Sequence, residues 1–267
     1  MANPTLDLAD LAAGPTVVVV AHPDDDVLGC GALLARCRDV RVVFVTNGAP
    51  QNDADALRLG FASPTAYAFA RRAEAEAALA LAGVRADQVF WLGISDQDVS
   101  RHLAEVALAL RPLLMKSRFV LTHTFEGGHS DHDAVAYAVH AACRNIGSAA
   151  PTLVEMPFYH AGPDGWVRQR FLPHPEAGHE TVLALTPDDQ ALKARMVATH
   201  ASQADTLRSF VLDAERFRLA PAYDFLARPH NGSLLYEQYV WNLTWPDWVS
   251  RVAAADVALG FGVPACS

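Results

Sequence analysis

Residues 16–21 read Thr-Val-Val-Val-Val-Ala and run straight into His22-Pro23-Asp24-Asp25-Asp26. β-branched residues fit an extended strand, and an unbroken apolar run without alternation fits a strand buried on both faces. The end of that strand delivers an imidazole and three carboxylates to one point. Unpaired carboxylates are costly to bury, so a cluster of this kind needs a cation, or a reaction that consumes a proton.

The same alternation of apolar strand and amphipathic helix recurs downstream. Strands are expected at 40–46, 88–93, 118–123 and 152–159, and helices at 27–38, 66–82, 97–115 and about 131–145. Asn47-Gly48 reads as the turn that closes the second strand. Repeated βαβ units predict an α/β fold, a doubly wound, Rossmann-like, mostly parallel sheet with helices on both faces. Ligands in such sheets sit beyond the carboxyl ends of the strands. His22 and Asp24–Asp26 follow the first strand there, Asp96 the third, and Glu126 and His129 the fourth. Residues 49–65 form a long polar connection of the sort that serves as a binding loop. After residue 160 the pattern loosens, with a short strand near 180–185 and a helix opened by Thr186-Pro187-Asp188-Asp189. With no repeat and no low-complexity linker, the whole of 1–267 is expected to be a single domain, its sheet portion at about 15–160 and a looser part at 161–267.

A net charge of −9 lacks the basic footprint of a nucleic-acid binder. No apolar run approaches the roughly 20 residues of a membrane span, and no segment has the form of a signal peptide. The four cysteines (Cys30, Cys37, Cys143, Cys266) include no CxxC pair. These features fit a cytoplasmic protein with reduced thiols, in which Cys266 lies in a frayed end. A homo-oligomer stays open.

Two stretches carry the chemistry: His22-Pro23-Asp24-Asp25 and His129-Ser130-Asp131-His132. Catalytic zinc takes three histidine or carboxylate ligands and keeps one position open. The spacing of His22 and Asp25 lets both reach one ion as strand turns into helix, and His132 closes the site from the other side.

His-Pro-Asp-Asp after a buried strand, followed by His-x-Asp-His about a hundred residues later, resembles the PIG-L/LmbE family of zinc-dependent N-deacetylases. Arg71-Arg72-Ala73-Glu74 with Leu81-Ala82-Gly83-Val84, and Ala-Thr-His-Ala-Ser-Gln at 198–203, extend the resemblance. It implies that His22, Asp25 and His132 bind zinc and that Asp24 is the general base. It further implies that His129 stabilises the oxyanion or protonates the amine, and that Asp131 tunes His129. The implied reaction is removal of an N-acyl group, usually acetyl, from an amino sugar of the N-acetylglucosamine kind or its conjugate. Zn2+ is the expected cofactor, with Fe2+ or another divalent metal as alternatives, and no organic cofactor is expected. The chain departs from the family pattern at Asp26, at Ser130 and in the run Gly29-Cys30-Gly31-Ala32.

Arg71 reads either as a substrate contact or as a helix charge paired with Glu74. Asp96 and Glu155 are candidates for binding sugar hydroxyls. His123 is placed to support the site from behind, and His200 is a weaker candidate. Trp241, Trp245 and Trp248 read as core or contact surface in preference to a sugar platform, although aromatic faces suit sugars. Two rival functions remain: a metal-dependent phosphoesterase, disfavoured by the histidine ligands and by the missing phosphate-cradling glycine loop, and a catalytically silent sugar-binding protein of the same fold.

Overall fold

The computed structural model describes residues 5–239, 241 and 243–262. Cys266 falls outside them, and Cys30, Cys37 and Cys143 are free thiols. After helix α1 (Leu8–Ala13), β1 (Pro15–Val20) leads into α2 (Asp25–Leu34), β2 (Asp39–Pro50), α3 (Ala54–Arg58), α4 (Pro64–Leu81) and β3 (Val89–Asp96). The chain continues through α5 (Leu103–Leu114), β4 (Phe119–His123), α6 (Ser130–Ile146) and β5 (Thr152–Met156). The remainder contributes β6 (Tyr159–Gly162), β7 (Gly165–Arg168), β8 (Thr181–Ala184), α7 (Pro187–Thr199), α8 (Ala204–Leu207), β9 (Ala214–Leu219), α9 (Leu235–Gln238) and α10 (Trp245–Ala258).

The main sheet has the order β3-β2-β1-β4-β5-β9-β8. β1 to β5 pair with one another in parallel, whereas β9 is antiparallel to both β5 and β8. The expected α/β sheet is therefore present, extended by two antiparallel strands from the region after 160. β1 shows why its valines are continuous. Val17 and Val19 face a core shared with α5, α6 and α10, while Val18 and Val20 face one shared with α2 and α4. Burying each valine stabilises the fold by about 1.5–3 kcal/mol. The strand order reverses between β1 and β4, which makes the crevice above their carboxyl ends the natural ligand site.

Several boundaries differ from the sequence reading. β2 does not stop at Asn47-Gly48 but runs to Pro50, because Gly48 takes a left-handed backbone (φ +69) and the strand re-pairs beyond it. The 49–65 connection contains α3. The fifth strand breaks at Pro157, and Tyr159–Gly162 instead pairs with Gly165–Arg168 as a hairpin. The tail is helical over α10, and Trp248 is fully buried there. Among the described residues no helix is long and apolar enough to cross a membrane.

Candidate metal centre and active site

The turn after β1 and the start of α6 meet at the β1/β4 crevice. His22 Nδ1 lies 3.2 Å from His132 Nε2 and 3.2 Å from Asp25 Oδ2, and His132 Nε2 lies 3.4 Å from Asp25 Oδ1. A tetrahedral ion with bonds of about 2.05 Å spaces its ligands by about 3.3 Å, so these separations, which use a different Asp25 oxygen toward each histidine, are of the size that a zinc site sets. The charges fit as well. Burial presses His22 toward neutrality, but Asp96, Asp131 and Asp25 outweigh it and raise its pKa well above the usual value. Burial pushes the Asp25 carboxyl up, and His132 and His22 together pull it well below the usual carboxylate range. Carboxylates that favour positive charge on His22 would equally favour a divalent cation in the same place.

The neighbours of this triangle orient it. His123 stacks on His132 with ring centres 4.1 Å apart, and its Nε2 accepts the Ala21 N–H at 2.8 Å. Asp131 is fully buried; its carboxylate accepts the Gln97 N–H (2.6 Å) and the Val99 N–H (3.1 Å) and faces His22 Nε2 at 3.3 Å. Its carboxylate therefore faces His22, and it is the Asp131 backbone N–H that meets the His129 ring, where the sequence reading expected Asp131 to tune His129. The amides just past β3 draw the carboxylate toward that strand. A carboxylate behind a metal-ligating imidazole fixes its tautomer and raises its basicity.

His129 caps α6: its Nδ1 accepts the Asp131 N–H at 3.1 Å. That leaves Nε2 as the protonated nitrogen of the neutral ring, 3.7 Å from Asp96 Oδ1. Burial, aided by His22, holds the His129 pKa well below its usual value. Gly128, just before it, passes so close to Tyr159 that a Cβ there would lie 2.0 Å from the Tyr159 carbonyl oxygen. Asp24 is buried and pairs with Arg71 at 2.9 Å. The same guanidinium donates to the Gly48 carbonyl (2.7 Å) and the Pro23 carbonyl (3.2 Å). The expected Arg71–Glu74 pair does not form, since Glu74 instead accepts from the Ser202 amide and hydroxyl. Asp26 is fully buried, and burial raises its carboxyl pKa well above the usual range.

These residues open on a hollow of about 210 Å³. His22, Asp24, Asp25, Arg71, Asp96, His129 and His132 line it together with Tyr159, Trp166, Phe210 and Trp241. Glu155 is not among them. It is buried on β5, bonded to Arg218 and to the Tyr223 hydroxyl, so it is a structural carboxylate and not a substrate contact. His200 is fully buried and does not line the hollow. Trp241, read as core or contact surface, instead packs at a tilt against His129 with ring centres 4.4 Å apart. The aromatic wall escaped the sequence reading, although Pro163-Asp164-Gly165 is a turn signal that would have placed Trp166 in a hairpin.

Comparison with known families matches residues 17–143 to PIG-L, the GlcNAc-PI de-N-acetylase model. Comparison with curated proteins gives no match. Among solved structures, a deacetylase of the teicoplanin biosynthesis pathway superposes with a TM-score of 0.61 at 21% identity, covering 79% of this chain and 99% of that one. The N,N'-diacetylchitobiose deacetylase from Pyrococcus horikoshii gives 0.54 at 20% identity, covering 81% and 88%. GalB, the 4-carboxy-2-hydroxymuconate hydratase from Pseudomonas putida KT2440, gives 0.51 at 19%, covering 78% and 98%. The hydratase shows that this fold alone does not fix a reaction. The two quoted motifs lie within the matched segment, and residues 17–143 are a PIG-L domain of the GlcNAc-PI de-N-acetylase family.

Proposed function

We propose that the chain is a divalent-metal-dependent N-deacetylase acting on an acetylated amino sugar or its conjugate, with zinc as the metal. The observation that carries the reading is the His22–Asp25–His132 triangle, with Asp24 and His129 lining the same aromatic hollow. Two imidazoles and one carboxylate are the donor set of catalytic zinc sites that keep one position open. A phosphoesterase relying on hard cations would favour oxygen donors instead.

His22, Asp25 and His132 would hold the ion, which when bound lowers the pKa of water to about 7 and polarises the amide carbonyl. Asp24 takes the proton from the attacking water. Arg71 pairs with that carboxylate and fixes its direction. His129 donates an Nε2–H hydrogen bond to the amide oxygen as negative charge builds there, and Asp24 passes the proton it took from the water to the departing amine. Asp131 holds the His22 ring. Tyr159, Trp166 and Trp241 offer flat apolar faces to a sugar ring and exclude water.

The test is amine release from N-acetylated amino sugars by wild-type, chelator-treated and Asp24→Asn protein. The proposal expects release by the wild type alone, with zinc content unchanged in Asp24→Asn. Equal release by wild type and variant would rule out Asp24 as the base, and no release from any acetylated amino sugar or conjugate would overturn the reading.

A further inference from the structure

A second hollow, of about 320 Å³, lies between α4 and the edge strand β3. Thr65, Ala68, Phe69 and Arg72 line it from one face of α4, and Trp91 and Gly93 from β3. Phe69 is 69% exposed. The Trp91 ring stacks on Phe44 at 4.5 Å, the Arg72 guanidinium sits over it at 5.1 Å, and its buried indole N–H has no partner.

The space results from a break in the strand pairing. Phe44 pairs with Trp91 but Thr46 with Ile94, so β3 carries one extra residue there. Gly93 takes a left-handed backbone (φ +75) within the bulge, and a Cβ on it would meet nothing within 4 Å. Bulges of this kind often flank sites because they re-aim side chains.

The hollow connects to the candidate active site. An intermediate depression shares Asp96 and Trp241 with the site, and Pro50 and Gln51 with the second hollow. Trp91 precedes Asp96 by five residues, roughly 16 Å along a strand. A ligand that fills both ends must be longer than one sugar ring.

We propose that the α4–β3 hollow is an aglycone subsite. It takes an aromatic group bearing an acceptor oxygen, joined to the sugar whose amide lies at the His22–Asp25–His132 cluster. The assignment rests on the deacetylase reading for the sugar end only. Phe69 supplies the flat apolar surface; the Trp91 N–H and the Arg72 guanidinium, whose Nε already donates to Glu76 at 2.8 Å, supply donors for the oxygen.

Two measurements test it. The first compares deacetylation of the 4-methylumbelliferyl and methyl glycosides of N-acetylglucosamine. The aryl glycoside is expected to have a kcat/KM at least tenfold higher. Phe69→Ser, at an exposed position, is expected to bring the two together while leaving the methyl glycoside rate unchanged. Ala68→Trp, which fills the hollow, is expected to do the same. The second is calorimetric binding of 4-methylumbelliferyl glucoside, which has no amide to react; Phe69→Ser is expected to weaken it at least fivefold. Aryl binding lost in Phe69→Ser with neither acetylated glycoside hydrolysed would defeat the deacetylase reading and leave the subsite standing. Equal kcat/KM for aryl and methyl glycosides, or aryl binding untouched by Phe69→Ser, would overturn the subsite. So would an octyl glucoside that binds as well as the aryl one, or a dimer that Phe69→Ser dissociates.

Discussion

Lys193 and Glu215 form an ion pair that is completely buried, at 2.8 Å. Its role follows from α2, whose helix is interrupted at Cys30 (φ −148, ψ 25). The interruption leaves backbone groups without helical partners. Glu215 accepts the Ala32 N–H at 2.7 Å and the Leu33 N–H at 3.0 Å, while Lys193 donates to the Leu28 carbonyl at 2.8 Å. The pair thus splices α2 to α7 and β9. Lys193→Met strips the Leu28 carbonyl of that donor and leaves a buried carboxylate without its counter-charge. Removing one partner of a buried pair costs about 3–5 kcal/mol. At about 2–4 °C per kcal/mol for a chain of this size, the melting temperature should fall by roughly 6–20 °C. Adding Glu215→Gln removes the charge and keeps an oxygen for one of the two amides, so the double variant should recover about 1–3 kcal/mol. Guanidinium denaturation at pH 7 of the wild type, Lys193→Met and the double variant measures both. A single variant within 1 kcal/mol of the wild type, or a double variant no better than the single, would refute the splice.

Three further perturbations probe the site and its surroundings. Gly128→Ala drives a Cβ into the Tyr159 carbonyl and should cost about 3 kcal/mol or more, read by the same denaturation. Arg71→Lys keeps a charge but cannot donate to Asp24, Gly48 and Pro23 together; it should lower kcat/KM roughly 10²-fold with zinc content intact. His140 packs on Tyr223 and Phe225, and burial lowers its pKa from 6.5 to about 4. The folded state therefore favours the neutral ring. Its contribution is present above pH 6.5 and is lost as pH falls toward 4, amounting to at most about 3 kcal/mol. His140→Gln should flatten the melting temperature across that window, and an unchanged pH slope would contradict the assignment.

The central strands were legible because β1, β2 and β4 bury both faces and so write themselves as apolar runs. That His22, Asp25 and His132 gather at one point was legible for a related reason, since carboxylates and imidazoles at strand ends have few structural uses. β9 was not legible: its Glu215 and Arg218 look like surface charges, yet both are buried by partners distant in the chain, Lys193 and Glu155. Glu155 failed as a substrate contact on the same ground, because its partner Arg218 lies 63 residues away. The partner of Asp131 depends on the amides of Gln97 and Val99, which only the turn after β3 brings near. Trp241 reaches His129 from the other end of the chain, and no local pattern marks that contact.

The measurement that bears most directly on the central claim is the metal content and coordination of His22, Asp25 and His132. Zinc-loaded protein, dialysed and examined by elemental analysis and X-ray absorption, should hold one zinc per chain. Its first shell should contain nitrogen and oxygen ligands at about 2.0–2.1 Å and no sulfur. His132→Ala should lose the tightly held zinc while remaining folded. A wild-type chain that retains no zinc, or a His132→Ala variant that retains it in full, would contradict the account.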